Sequence, residues 1–420
     1  MTGQDSPRIA TEVPGPRSRA LAGRLARVEC AEVTWQGPPA PLFFERGFGV
    51  NLWDADGNRF VDLSAGFGAA VLGYAHPELT RALAAQAGTL QHAMGDVFPA
   101  EGKVRLLEEL ARVLPFGLGH AILASSGSDA VEIALETALV ATGKPAVVAF
   151  EGAYHGLSLG ALDATWRDDF RRPFLARLAG QTRFVAWGDA EAARRAAKAG
   201  DVGAILVEPI QGRGGLVFPP RGFLAELRAI ADETGALLVA DEVYTGLGRT
   251  GRWLACEHEG VAPDVVALGK ALGGGFPLSA CVGRPELMAR WPVSHGEALR
   301  TSTHLGNPLG CAAGLAVLQA LEGDALLRRA DELGARWLAR LGKRLAGNPR
   351  VRSLRGRGLL VAVELDDAGF ARALSTKLLR AGWIALGEGP DLRTLALTPP
   401  LVIAEELLDA AADLLAELAQ

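Results

Sequence analysis

Four polar stretches in this chain follow apolar runs, and each holds a residue type that can do chemistry. Lys270 closes "DVVALGK", and three glycines follow shortly after it. A partly desolvated lysine has a lowered pKa and becomes a usable amine nucleophile, and the glycines let a backbone approach closely. Asp241 and Glu242 end "ALLVADE". A carboxylate behind five apolar residues is costly to bury unless it meets a structural cation or a cationic ligand atom. Ser126-Gly127-Ser128-Asp129 lies between "AILASS" and a helical pattern. Small residues there leave amide N–H groups free for an anion, which the helix dipole favours. Tyr154, after "AVVAFEG", can stack on a flat ligand.

Taken singly, each has a plainer reading. Ser126 is an N-cap, Tyr154 a core or rim aromatic, Asp241 half of an ion pair, and Lys270 a solvated residue at a helix start. As a set they match one ligand. Pyridoxal 5'-phosphate needs an anion site for its phosphate, a stacking partner for its ring, a carboxylate for its pyridinium nitrogen and a lysine for its aldehyde.

Positioning four such residues together is a task for an α/β sheet. Seven short apolar runs occur from about residue 120: "AILASS", "AVVAFEG", "TRFVAW", "GAILVEP", "ALLVADE", "DVVALGK" and "LSACVG". Helix-length segments separate most of them, which predicts a largely parallel sheet covered by helices on both faces. Ligands of such sheets bind outside the carboxyl ends of the strands, where the four residues fall. Before the sheet, residues 1–20 read as an arm. "FERGFGVNLWDADGNRFVDLSAG" reads as a β-hairpin turning at Asp56-Gly57. After residue 310 one long Ala/Leu-rich helical stretch, a strand in "GRGLLVAVEL" and a helix near 404–419 predict a smaller α/β domain. The expected division is 1–70, arm and hairpin joining the small domain; 71–310, the large cofactor-binding domain; and 311–420, the small C-terminal domain.

Composition narrows the function. A net charge of −5 provides no basic footprint for nucleic acid or an acidic membrane surface. The four cysteines form no CxxC, and the seven histidines show no metal-ligand spacing, so no metal is expected and a reduced, cytoplasmic setting fits. Neither a signal peptide nor a membrane-spanning run is evident. "GLGRTG" (246–251) matches a dinucleotide fingerprint, but "DEVYT" separates it from the strand and the acid precedes it. Gly269-Lys270 is followed by Ala271, not by the Ser or Thr of a phosphate-binding loop.

From about residue 45 to the C-terminus the chain resembles the class III pyridoxal-phosphate aminotransferases of fold type I. "VEPIQGRGG", "DEVYTGLGRTG", "PDVVALGKALGGGFPLSA" and "TSTHLGNPLGCAAG" are similar to the family's signature segments and stand in the family's order. The resemblance implies that Lys270 forms the Schiff base and Asp241 pairs with the pyridine nitrogen. Tyr154 and Val243 would then cover the two ring faces, and Gly127 and Ser128 would hold the phosphate. Glu208 would join the nearby polar network. Thr303 would reach the phosphate of a neighbouring subunit, making a homodimer. Phe67, in a loop similar to the family's substrate-facing segment, is a candidate for lining the pocket.

The pattern also departs from the family. Members that use glutamate often carry an arginine where this chain has Leu157. They also carry a glutamate where it has Arg213, and an arginine where it has Ala396. The departures put 2-oxoglutarate and ornithine-type substrates in doubt. Arg213 becomes the candidate for a substrate carboxylate, with Arg393 as the other arginine within range. The expected activity is transfer of an amino group, α or ω, from an amino acid or amine to a keto acid. Two alternatives are a racemase, epimerase or aminomutase using the same lysine, and, more remotely, a nicotinamide-dependent oxidoreductase.

Overall fold

The computed structural model describes residues 3–35 and 41–420. Near the N-terminus, β1 (Phe44–Phe48), β2 (Asn51–Asp54) and β3 (Arg59–Asp62) form an antiparallel meander, one strand more than the expected hairpin. Its β2–β3 turn uses Asp56-Gly57 as predicted. Gly57 takes a φ of 84°, and Asp54 Oδ1 accepts the amides of Asp56 and Asn58.

The seven apolar runs become β4 (His120–Ala124), β5 (Ala146–Phe150), β6 (Thr182–Val185), β7 (Val202–Val207), β8 (Leu237–Asp241), β9 (Val265–Leu268) and β10 (Ser279–Gly283). They make one sheet in the order β4-β10-β9-β8-β7-β5-β6, parallel except for β10. β5, β7, β8 and β9 are buried along their whole length, which explains unbroken apolar runs rather than alternating ones. Alternate residues still face opposite layers. Val147, Ala149, Leu206 and Val239 pack with helix Gly127–Thr142, whereas Val148, Phe150, Ile205 and Leu238 pack with helix Phe223–Thr234.

The long C-terminal helical stretch is two helices, Pro308–Gly323 and Leu326–Arg344, set at 61° to each other. The chain turns between them at Asp324 and at Ala325, which is in the left-handed region. No single helix among the described residues is long and apolar enough to cross a membrane. Four more strands, β11 (Val351–Arg357), β12 (Leu360–Leu365), β14 (Leu386–Glu388) and β15 (Thr394–Leu397), form an antiparallel sheet in the order β11-β12-β15-β14. β13 (Trp383–Ile384) instead joins β3 in parallel, so the two ends of the chain share one sheet.

Candidate functional site

The carboxyl ends of β7, β8 and β9 open into a cavity of about 380 Å³. Asp241 is the last residue of β8, and Lys270 lies two residues beyond β9. Lys270 has a φ of 39°, a left-handed backbone rare for a residue with a Cβ. Its Nζ lies 4.5 Å from the centroid of the Tyr244 ring. Burial lowers the pKa of this amine, against the pull of Asp241, Glu208 and Glu388. Burial thus favours the uncharged form of this amine more than water would.

Asp241 is buried and tied on both oxygens. Oδ2 lies 2.8 Å from His155 Nδ1, and Oδ1 accepts the amide of Val243. His155 is buried too, and its Nε2 has no hydrogen-bond partner among the described residues. Its own amide donates to Thr165 Oγ1, which fixes the loop behind it. Beside this pair, Glu208 directly follows β7 and accepts the amides of Tyr154 and Gly212. Burial pushes its pKa up to about 7 despite those two donors.

Helix Gly127–Thr142 aims its N-terminus at the cavity. Ser126 is its N-cap, accepting the Asp129 amide, so the plain reading of that serine holds. The space at Gly127 is closed to other residues, because a Cβ there would stand 2.7 Å from Val243 Cγ1. The Ser128 hydroxyl is already engaged, accepting the amides of Leu157 and Ser158. What Ser128 has left for an anion is chiefly its backbone. Tyr154 makes an edge contact with Phe170 at 5.6 Å.

Arg213 also lines the cavity: its guanidinium lies 5.0 Å from the Tyr154 ring centroid, and its Nε is 3.8 Å from Glu388 Oε2. Phe67 is 54% exposed and lines the cavity rather than the core. Ala65, Gly66 and Phe67 are all left-handed. Asp62 holds that turn by accepting from the Ser64 amide and hydroxyl, the Gly66 amide and the Tyr74 hydroxyl.

The fold thus gathers Phe67, Gly127, Ser128, Tyr154, Glu208, Arg213, Asp241, Val243 and Lys270 around one cavity. Thr303 is exposed and outside the lining. Arg393 pairs with Asp391 outside it, and Ala396 is buried against Ile210, Leu216 and Leu360. "GLGRTG" opens no helix. It lies in turns, and its Arg249 is fully buried, donating to the carbonyls of Leu359 and Pro399. That removes the anion site on which a nicotinamide reading depends. Sequence reasoning missed His155, Tyr244 and Glu388. His155 was within reach, since it follows Tyr154. Glu388 had no local signal at all.

Known proteins resemble this chain over most of its length. A family model described as aminotransferase class III matches residues 34–418. The acetylornithine aminotransferase of Methanosarcina mazei is 38% identical over 377 residues, 89% of this chain and 91% of that protein. The 4-aminobutyrate aminotransferase of Mycobacterium bovis is 36% identical over 445 residues, covering 98% and 97% of the two chains. Among solved structures, the ornithine aminotransferase of Toxoplasma gondii, with pyridoxal phosphate at partial occupancy in its active site, superposes with a TM-score of 0.87 at 30% identity. It covers 96% of this chain and 94% of its own.

Proposed function

This chain belongs to the class III aminotransferases, pyridoxal-phosphate-dependent enzymes, and on that premise we propose how its residues divide the work. The observation that carries the reading is a buried carboxylate, Asp241, oriented by His155 at 2.8 Å in the same cavity as an amine, Lys270, whose pKa is lowered by burial. The residues present fit the cofactor. Lys270 would anchor it through Nζ, Asp241 would pair with its ring nitrogen, Tyr154 and Val243 would cover the ring, and the amides at Gly127 and Ser128 would take the phosphate. Glu208 steadies the Tyr154 and Gly212 backbone around it.

When bound, pyridoxal phosphate supplies the carbonyl that takes the substrate amine and the ring that draws electrons from the carbon losing its proton. Once the substrate amine has taken its place, the freed Lys270 Nζ would remove the substrate Cα proton and later give it back, acting as base and acid in turn. His155 holds the Asp241 carboxylate in place through Oδ2. Arg213 binds the carboxylate of the keto acid, and Phe67 closes the rim beside it.

Thr303 completes the phosphate site of a second copy in a homodimer. Support comes from its surroundings. Met94, Val97 and Phe98 are exposed at 55%, 62% and 67%, forming an apolar patch. Asp96, from the same segment, accepts a hydrogen bond from Thr301 at 2.7 Å. The test of the whole reading is spectroscopic. Purified protein given pyridoxal phosphate develops a visible Schiff-base band that Lys270→Ala lacks. An unchanged spectrum in the wild type overturns it.

A further inference from the structure

Glu388 is the one carboxylate of the cavity that the scheme above leaves idle. It ends β14, and its side chain is 5% exposed, yet it faces the same space as Lys270. Among the described residues no N–H or O–H donates a hydrogen bond to its carboxylate. Its nearest cation, Arg213 Nε at 3.8 Å, is beyond hydrogen-bond reach. Arg213 does not close that gap because its guanidinium rests near the rings of Tyr154 and Phe170, at 5.0 Å and 5.7 Å. The Nε atom is itself buried without a hydrogen-bond partner. A carboxylate this deep is costly to leave without donors, and burial duly raises its pKa while Arg213 and Lys270 pull it back. Tyr244, Tyr154 and Phe67 line the same cavity as Glu388 and Lys270, faces that suit an alkyl chain and tolerate a cation.

We propose that Glu388 receives the second, distal ammonium of the amine donor, so that α,ω-diamines are a substrate class of this enzyme. One end of the diamine reacts beside Lys270, and Glu388 holds the other. The inference rests on the Lys270 reading given above. It gives the cavity two distal groups of opposite sign, Glu388 for the donor and Arg213 for the keto acid.

The test compares 1,5-diaminopentane with pentylamine, and 1,4-diaminobutane with butylamine, in the cofactor-loaded enzyme. In the wild type the diamine of each pair has the larger kcat/KM. Glu388→Gln keeps the shape and loses the charge. It lowers kcat/KM for the diamine by about ten- to a hundredfold, the worth of a charge-assisted hydrogen bond. The monoamine stays within about twofold. Glu388→Asp, with the charge on a shorter arm, recovers part of the preference. Calorimetry in the Lys270→Ala background reads binding without turnover. There 1,5-diaminopentane binds at least about tenfold more tightly than pentylamine, and adding Glu388→Gln removes the difference. Equal losses for both amines, or no diamine preference in the wild type, overturn the role of Glu388 and leave Lys270 untouched. No turnover with any amine, together with no Schiff-base band, overturns the underlying reading and this inference with it.

Discussion

Two walls of the same cavity hold their charges differently. On the wall built from the ends of the large sheet, Asp241 is tied by His155 and by the Val243 amide, and Glu208 by two amides. Every oxygen there has a fixed donor. On the wall built from β14 and the loop after Glu208, Arg213 and Glu388 face each other at 3.8 Å without closing, and neither finds a hydrogen bond for the atoms that meet. A tied carboxylate is preorganised and needs no rearrangement during reaction. An untied pair can exchange its partner for a ligand. In the proposed scheme the difference separates chemistry, which stays constant, from substrate choice, which must serve two different molecules in turn.

Breaking the tied wall should have the larger consequences. Lys270→Ala removes anchor, base and acid together, so transamination falls by at least about 10⁴-fold, the top of the range for a lost general acid–base. Single-turnover absorbance with excess amine checks this. Asp241→Asn keeps the shape but not the charge. It lowers kcat by roughly 10²–10³-fold, as expected when a preorganised electrostatic group is lost, and stopped-flow measurement of the amine half-reaction locates the defect there. On the untied wall, Arg213→Ala raises KM for the keto acid by about tenfold or more and leaves KM for a simple amine unchanged. Equal KM changes for both would mean that Arg213 binds no carboxylate.

The smallest effect concerns stability rather than rate. Without cofactor, burial lowers the folded-state pKa of Lys270 below its ordinary value. Between that lowered value and an unfolded value of about 10.4, the unfolded chain binds the extra proton. Stability of the cofactor-free protein therefore rises with pH across this window and is lost as pH falls through it. Lys270→Met removes that contribution, which thermal melts at a series of pH values would show as a flatter dependence.

Legibility in the sequence follows the same division. The seven strands were readable because burial on both faces makes unbroken apolar runs, and Asp241 and Lys270 stood out as charges at their ends. Tyr154 and Gly127 were readable once the other two gave them a context. The break at Ala325 was missed because two apolar helices in series look like one when the left-handed residue between them is an alanine. Phe67 was ambiguous because its exposure depends on three consecutive left-handed residues held by Asp62, none of which a pattern of apolar residues reveals.

The sequence by itself determined the sheet, the family and the groups proposed to do the chemistry, since those follow from local runs, from signature segments and from charges placed where an apolar strand stops. Only the tertiary structure decided what faces them. Glu388 lies 118 residues beyond Lys270 (388 − 270) and reaches the cavity only because β14 pairs with β15 in a separate sheet. Arg213 meets it only because the loop after β7 folds against that sheet, where the Gly389 amide donates to the Arg213 carbonyl. Contacts of that kind depend on how sheets pack, and no stretch of chain encodes them alone.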